Sequence, residues 1–274
     1  HIRGVDHPES IGIGPGGEAY TTGTGRQVYR LDVGKNTCEQ FASTDARCLG
    51  TAVDADGNLY AAQTAGDVLK ITPQGAVSVY ATGPGGQKFL CTNYPAFDRN
   101  GNMYLSDSGD WSDNINGHLY KIPPGGGEAQ LWFPEPVDTP NAIALDADEA
   151  QLYFVETFGS SIARIAINAD GSAGAFERVV HMPRHVPDGI AFDEDGRLWI
   201  ACHRPDAIYV FDLTTRRLDL FAEDWKGEAL RGPTDVAFAG PDRDILLAAS
   251  LDNLVVHRFD GIGVRGLKLN HPKL

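Results

Sequence analysis

The chain has 274 residues, of which 37 are acidic and 23 basic, for a formal net charge of −14. No basic run occurs, which excludes a nucleic-acid surface built on Lys and Arg, and no apolar stretch approaches the length of a membrane-spanning helix. Abundant aromatic and β-branched residues punctuated by 32 glycines describe many short strands joined by tight turns, and the length suits one closed all-β domain over residues 1–274. No secretory signal is visible, so a cytoplasmic protein is expected. The chain starts at His1 without Met, and a trimmed N-terminus would have taken targeting information with it. Cys38, Cys48, Cys91 and Cys202 form no C-x-x-C pair, which argues against a zinc ribbon. Free thiols are expected, with a Cys38–Cys48 disulfide as the alternative.

A strand, a tight turn and a second strand recur along the chain. The first copy runs from Pro8-Glu9-Ser10-Ile11-Gly12-Ile13 into Gly17-Glu18-Ala19-Tyr20, and the second from Leu49-Gly50-Thr51-Ala52-Val53-Asp54 into Gly57-Asn58-Leu59-Tyr60. The third runs from Thr92-Asn93 through Phe97-Asp98 to Gly101-Asn102-Met103-Tyr104-Leu105, and the fourth from Pro140-Asn141-Ala142-Ile143 to Leu152-Tyr153-Phe154-Val155. The fifth, and clearest, runs from Pro187-Asp188-Gly189-Ile190 to Gly196-Arg197-Leu198-Trp199-Ile200-Ala201. The sixth runs from Pro233-Thr234-Asp235-Val236-Ala237-Phe238 to Ile245-Leu246-Leu247-Ala248. The Asp-x-Asp-Gly type of turn between the two strands supplies the positive φ of a tight hairpin. A third apolar run follows each pair, as at Val28–Leu31, Val68–Ile71, Leu119–Ile122, Ile162–Ile165, Ile208–Phe211 and Leu254–His257. A weaker fourth strand usually comes next, such as Glu39–Phe41 or Leu218–Phe221. Six units of four strands with a period of about 45 residues predict a six-bladed β-propeller of four-stranded antiparallel blades around a central channel. A β-helix or sandwich would show a shorter repeat or none.

Aligning the six copies puts one residue of each at the start of its innermost strand: Glu9, Leu49, Asn93, Asn141, Asp188 and Thr234. Innermost strands line a propeller's channel, so these residues converge from six directions. All but Leu49 carry side-chain oxygen, a set that fits one hard divalent ion, with Ca²⁺ expected first, Mg²⁺ or Mn²⁺ next and Zn²⁺ last. Asn and Asp also favour turns before strands, but turn preference alone would not hold them in one register. The loops after each second strand face the same way, including Asp107-Ser108-Gly109-Asp110-Trp111, Glu156-Thr157-Phe158 and His203-Arg204, and form the expected pocket mouth.

Pro140-Asn141 with Leu152-Tyr153-Phe154-Val155-Glu156-Thr157, Pro187-Asp188-Gly189 with Gly196 through Ala201, and Pro233 through Asp242 carry a resemblance to a known family. From Pro8 to about Leu267 the chain resembles the senescence marker protein (regucalcin), gluconolactonase and luciferin-regenerating enzyme family of six-bladed propellers. The resemblance implies a divalent ion held by Glu9, Asn141 and Asp188, with Asn93 beside it touching substrate or a bound water. It also implies hydrolysis of a lactone or related ester, a small-molecule substrate. Members that act on sugar lactones commonly carry Arg two places before the Asn93 position and Asp just after it. Here those places hold Cys91 and Tyr94. A substrate more apolar than an aldonolactone is therefore expected, against Cys91, Tyr94, Trp111, Phe158 and Thr234, unless Arg184, Arg204 or Arg231 reaches in.

The expected chemistry is a carbonyl polarised by the ion and attacked by water, with Asp188 as proton acceptor and His203 as the alternative base. No G-x-S-x-G motif is present, which argues against a serine nucleophile. Two other classes compete. One is a non-enzymatic binding propeller similar to NHL-repeat proteins, which has no need of aligned channel carboxylates. The other is similar to strictosidine synthase, in which a pocket glutamate works without metal. The sequence says nothing of oligomeric state.

Overall fold

The computed structural model describes residues 1–274 and is built almost wholly of strands. Each sequence repeat becomes one twisted antiparallel sheet. The first blade comprises Ile11–Ile13, Ala19–Thr22, Gln27–Asp32 and Thr37–Ser43. The second comprises Cys48–Val53, Leu59–Gln63, Asp67–Ile71 and Val77–Thr82, and the third Thr92–Phe97, Met103–Asp107, His118–Ile122 and Gln130–Leu131. The fourth comprises Pro140–Leu145, Gln151–Glu156, Ser161–Ile167 and Ala173–His181, and the fifth Val186–Phe192, Arg197–Arg204, Asp206–Asp212 and Arg217–Asp224. The sixth takes three strands from the end of the chain, Pro233–Ala239, Ile245–Ser250 and Val255–Phe259, and its outermost strand from the beginning, Ile2–Arg3. That N-terminal pairing, Ile2 opposite Val256, closes the ring and leaves no seam between first and last repeats. The short segment Gly127–Glu128 adds a parallel fifth strand to the second blade.

The turns form as their residues dictate. Asp54 Oδ1 accepts from the backbone N–H of Asp56 and Asn58, and Gly57 takes φ 78°, a conformation that costs glycine nothing. The same aspartates anchor the interior: Tyr60 Oη donates to Asp54 and Trp199 Nε1 to Asp193, both at 2.9 Å. Alternation along each strand sends apolar residues to both faces, and every gap between neighbouring blades is filled by a hydrophobic cluster. Tyr153, Val155, Ile190 and Ile200 fill the gap between the fourth and fifth blades, and Tyr60, Phe97, Met103 and Leu105 that between the second and third. The four cysteines are free.

The C-terminal segment crosses one end of the channel. Leu267 N–H donates to Phe192 O at 2.9 Å, Asn270 Nδ2 to Phe97 O at 3.0 Å, and His271 Nδ1 lies 2.8 Å from Val53 O. These bonds tie it to the fifth, third and second blades. The opposite end remains open, and it carries the starts of the inner strands.

Candidate metal centre

The innermost strands are irregular at the place that matters. In the second blade Cys48 stands opposite Gln63 and Thr51 opposite Ala61, three steps against two. The same extra residue occurs between Thr92 and Pro95, Pro140 and Ile143, Pro187 and Ile190, and Pro233 and Asp235. A β-bulge re-aims side chains, and here it repeats at one level of the ring. The bulged segments hold Leu49, Asn93, Asn141, Asp188 and Thr234. Glu9 occupies the matching place ahead of Ile11–Ile13, its N–H bonded to Thr22 O. The structure thus gathers the six aligned residues around the channel.

A ring of hydroxyls locks them. Ser108 Oγ donates to Pro140 O, Thr157 Oγ1 to Pro187 O, and Thr234 Oγ1 to Glu9 O, each hydroxyl reaching from one blade to the next at 2.7, 3.1 and 2.8 Å. Two of these hydroxyls also accept an amide: Asn93 Nδ2 donates to Ser108 and Asn141 Nδ2 to Thr157, at 2.9 and 3.1 Å. A hydroxyl that gives its proton to a carbonyl must accept from the amide, which fixes the amide orientation. The Oδ1 atoms of Asn93 and Asn141 remain uncommitted.

Asp188 has Glu9 and Asp235 as neighbouring carboxylates at the channel. Asp188 accepts no backbone hydrogen bond, and burial, with Glu9 and Asp235 as neighbouring charges, pushes its pKa well above the carboxylate range. Glu9 is raised too, by burial, against the opposing effect of Arg47. Asp235 is pushed up to about 7 by burial, despite hydrogen bonds from Ile11 N–H, Tyr94 Oη and Val236 N–H. Arg47 is the cation facing them, with Nη2 on Glu9 Oε2. If all three were ionised, they would outnumber the one guanidinium that faces them, and all three pKa values are raised. Two uncommitted amide oxygens lie in the same ring. These side chains are hard oxygen donors of the type a divalent cation takes, although no group of three His, Cys, Asp or Glu side chains clusters as an ion site.

Tyr94 lies below the ring. Its hydroxyl, on the third blade, donates to Asp235 Oδ2 on the opposite sixth blade at 3.1 Å and forms a floor across the channel. Room for this pair comes from glycine. A Cβ on Gly50 would stand 2.5 Å from the Tyr94 ring, and one on Gly189 2.4 Å from Asp235 Oδ1.

At the mouth, Trp111 Nε1 donates to Cys91 Sγ at 3.2 Å, and the Trp111 and Phe158 rings meet edge to face at 5.8 Å. Both rings are about half exposed, 42% and 51%, so they present apolar surface beside the opening. Burial raises the Cys91 thiol, which keeps it protonated and a poor nucleophile. His203 sits apart on the rim. Its Nε2 is 4.0 Å from Asp252, and burial, then Arg204, lowers its pKa. Arg204 is committed to Asp206 and Asp252. The guanidinium that does reach the channel is Arg47, two places before Leu49, as Cys91 is two places before Asn93. The sequence reading missed Arg47, Asp235 and the hydroxyl ring. The shared offset of Arg47 and Cys91 from the column was the available signal.

These features define a six-bladed propeller with an acidic, oxygen-lined channel. The chain belongs to the SMP-30/gluconolactonase/LRE-like family, whose sequence pattern matches residues 21–252. It is 24% identical over 205 residues to lactonase drp35 of Staphylococcus haemolyticus strain JCSC1435, covering 69% of this chain and 60% of that one. It is 30% identical over 138 residues to pentonolactonase XacC of Haloferax volcanii, covering 49% of this chain and 45% of that protein. The chain therefore spans about half to three-fifths of the length of these curated relatives. Among solved structures it superposes on a gluconolactonase from Xanthomonas campestris with TM-score 0.77 at 20% identity, covering 91% of this chain and 84% of that one. It superposes on a regucalcin from Agrobacterium tumefaciens strain C58, described as a calcium-binding protein, with TM-score 0.78 at 18% identity, covering 100% and 98%. At such identities the structural likeness speaks for the fold.

Proposed function

We propose that the protein is a lactone hydrolase that works with one divalent ion, Ca²⁺ first, held by Glu9, Asn141 and Asp188. The observation that carries this reading is Asp188, a carboxylate without a backbone donor, flanked by Glu9 and Asp235. Asp188 has the Asn141 amide and the more distant Arg47 in its favour, yet burial and the two neighbouring carboxylates outweigh them, and a cation would offset that cost. The relatives named lactonase and pentonolactonase give the reaction class.

When bound, such an ion supplies a Lewis acid for the ester carbonyl and its developing oxyanion. The chain's residues do the rest. Asn93, its Nδ2 tied to Ser108, offers Oδ1 to orient the attacking water or a substrate hydroxyl. Asp188 accepts the proton of the attacking water as the new C–O bond to the acyl carbon forms, and returns it to the ring oxygen as the ester C–O bond breaks, giving a hydroxy acid. Burial, then Glu9 and Asp235, raise Asp188 in the ion-free protein; a bound cation would oppose that rise and leave Asp188 a weak base. His203 is assigned a rim position rather than this role, because its polar neighbours are Asp252, Arg204 and Asp206. Thr234 holds the Glu9 backbone, and Tyr94 closes the floor. Trp111, Phe158 and Cys91 form the apolar side of the mouth.

The test is metal content of the purified protein, then lactone hydrolysis before chelation, after it and after re-addition of Ca²⁺, Mg²⁺, Mn²⁺ or Zn²⁺. Loss on chelation and recovery with an ion is expected. Undiminished hydrolysis by metal-free protein would overturn the reading.

A further inference from the structure

Arg47 lies in the loop ahead of Cys48–Val53, and its backbone is fixed. Its carbonyl accepts both the N–H and the Oγ1 of Thr64, at 2.9 and 3.1 Å. From that anchor the side chain crosses the blade boundary and places Nη2 on Glu9 Oε2. Glu9 is 15% exposed and Arg47 33%, so the pair sits inside the mouth. The rest of the guanidinium is poorly served: Nε is buried with no hydrogen-bond partner. A guanidinium has five donors, and one left unsatisfied in a buried place is unfavourable. The pose is explained by charge. Glu9, Asp188 and Asp235 need a cation, and Arg47 is the one within reach.

We propose that Arg47 is a built-in counter-cation of the channel, which neutralises Glu9 in the ion-free protein and which a divalent ion must displace from that carboxylate in order to bind. The proposal rests on the reading of Glu9, Asn141 and Asp188 as an ion site. The conflict is geometric and electrostatic at once. Arg47 takes one of the two Glu9 oxygens and stands beside the other, and a positive charge of one and a charge of two repel strongly across a shared carboxylate in a partly dry channel. Arg47 therefore sets the affinity of the site and keeps the ion-free propeller folded.

The experiment is titration of ion-free protein with Mn²⁺, followed by the electron paramagnetic resonance of the free ion, and with Ca²⁺ by calorimetry. Wild type, Arg47→Met and Arg204→Met are compared. Arg204→Met removes one positive charge from the rim, where Arg204 pairs with Asp206 and Asp252. Arg47→Met should bind both ions at least roughly tenfold more tightly, the scale of a pair discounted for its partial exposure. Arg204→Met should stay within about twofold. The ion-free Arg47→Met protein should also melt lower than wild type and gain more on adding Ca²⁺. If it does not fold without an ion, Arg47→Lys, which keeps the charge but loses the fork, replaces it and should show a smaller tightening. Unchanged or weaker binding in the Arg47 variants, or equal tightening in Arg204→Met, overturns the proposal alone. No ion bound by wild type overturns the ion site and the proposal with it.

Discussion

The two ends of the channel are built by the same six strands and could hardly differ more. At the open end the starts of those strands gather Glu9, Asn93, Asn141 and Asp188, with Arg47 as the cation that faces the carboxylates. Past the Tyr94–Asp235 floor, the same strands turn Ile11, Ile143, Ile190 and Val236 inward, then Ile13, Val53, Phe97 and Phe192. The segment from Leu267 to His271 covers that end and leaves a cavity of about 130 Å³. The bulge makes the difference. Above it, side chains are re-aimed at the axis. Below it, regular pairing resumes, and alternation packs apolar residues together. One end gathers unfavourable charge, and the other supplies the burial that tolerates it.

The largest effect should come from breaking the charged end. Asp188→Ala should lower lactone hydrolysis by about a thousandfold or more and abolish ion retention, with circular dichroism unchanged. Because Glu9 and Asp235 then lose a like charge, the ion-free variant should melt no lower than wild type. Full activity with full ion content in this variant would mean the site is elsewhere.

Breaking the apolar end should do the reverse. Ile190 is 3% exposed and packs with Phe192 and Ile200 between blades. Ile190→Ala should cost about 2–5 kcal/mol in denaturant unfolding, the range for truncating a buried aliphatic side chain. Activity per folded molecule should stay within a few-fold. A collapse of activity without loss of stability would show that the two ends are not separable.

The charged end should also be visible in pH dependence once the ion is chelated. Asp235, pushed up to about 7 by burial, holds its proton more tightly when folded than when unfolded. Asp188 and Glu9 shift in the same direction. For an acid raised in this way, the contribution to stability is full below the unfolded pKa and disappears as pH climbs through the folded value. The melting temperature of chelated protein should therefore fall between about pH 4 and pH 7. Asp235→Asn should flatten the slope, and saturating Ca²⁺ should oppose it. A chelated wild type that gains stability over that window would contradict the charge arrangement.

How much of this was legible beforehand follows from the same contrast. The blades were readable because apolar alternation and Asp-Gly turns repeat, and the third strands fall where Val28–Leu31 or Ile162–Ile165 predicted them. The column was readable because its six residues share one register. Asp235 and Tyr94 were not seen as a pair. Strict alternation sends the residue after a channel residue away from the axis, and only the bulge brings it back. Arg47 was not singled out, because its reach crosses from one blade to the next. Ring closure by Ile2–Arg3 rests on two residues, too few to show a period.

The smallest expected effect concerns substrate choice at the mouth, where the polar and apolar sides of the open end meet. Cys91 stands where the resemblance to sugar-lactone members leads one to expect arginine, and its thiol is engaged by the Trp111 indole. Phe158 packs against that indole, and Leu49 fills the non-oxygen place in the ring, 5% exposed. Arg47 brings a guanidinium back to the mouth, but it is turned to Glu9 and not to the aromatic side. A lactone with an alkyl substituent would lay it against Trp111 and Phe158, each buried CH₂ contributing about 0.8 kcal/mol. An aldonolactone would set hydroxyls there without partners, each costing roughly 1–3 kcal/mol. The ratio of kcat/KM for an alkyl-substituted lactone to that for gluconolactone should therefore exceed one by about tenfold or more. Phe158→Ala should lower the first value by about tenfold, because the ring is only half buried and its full transfer energy is not available. It should leave the second within about twofold. Clear preference of the wild type for gluconolactone would sink the apolar mouth and shift the choice of substrate to Arg47.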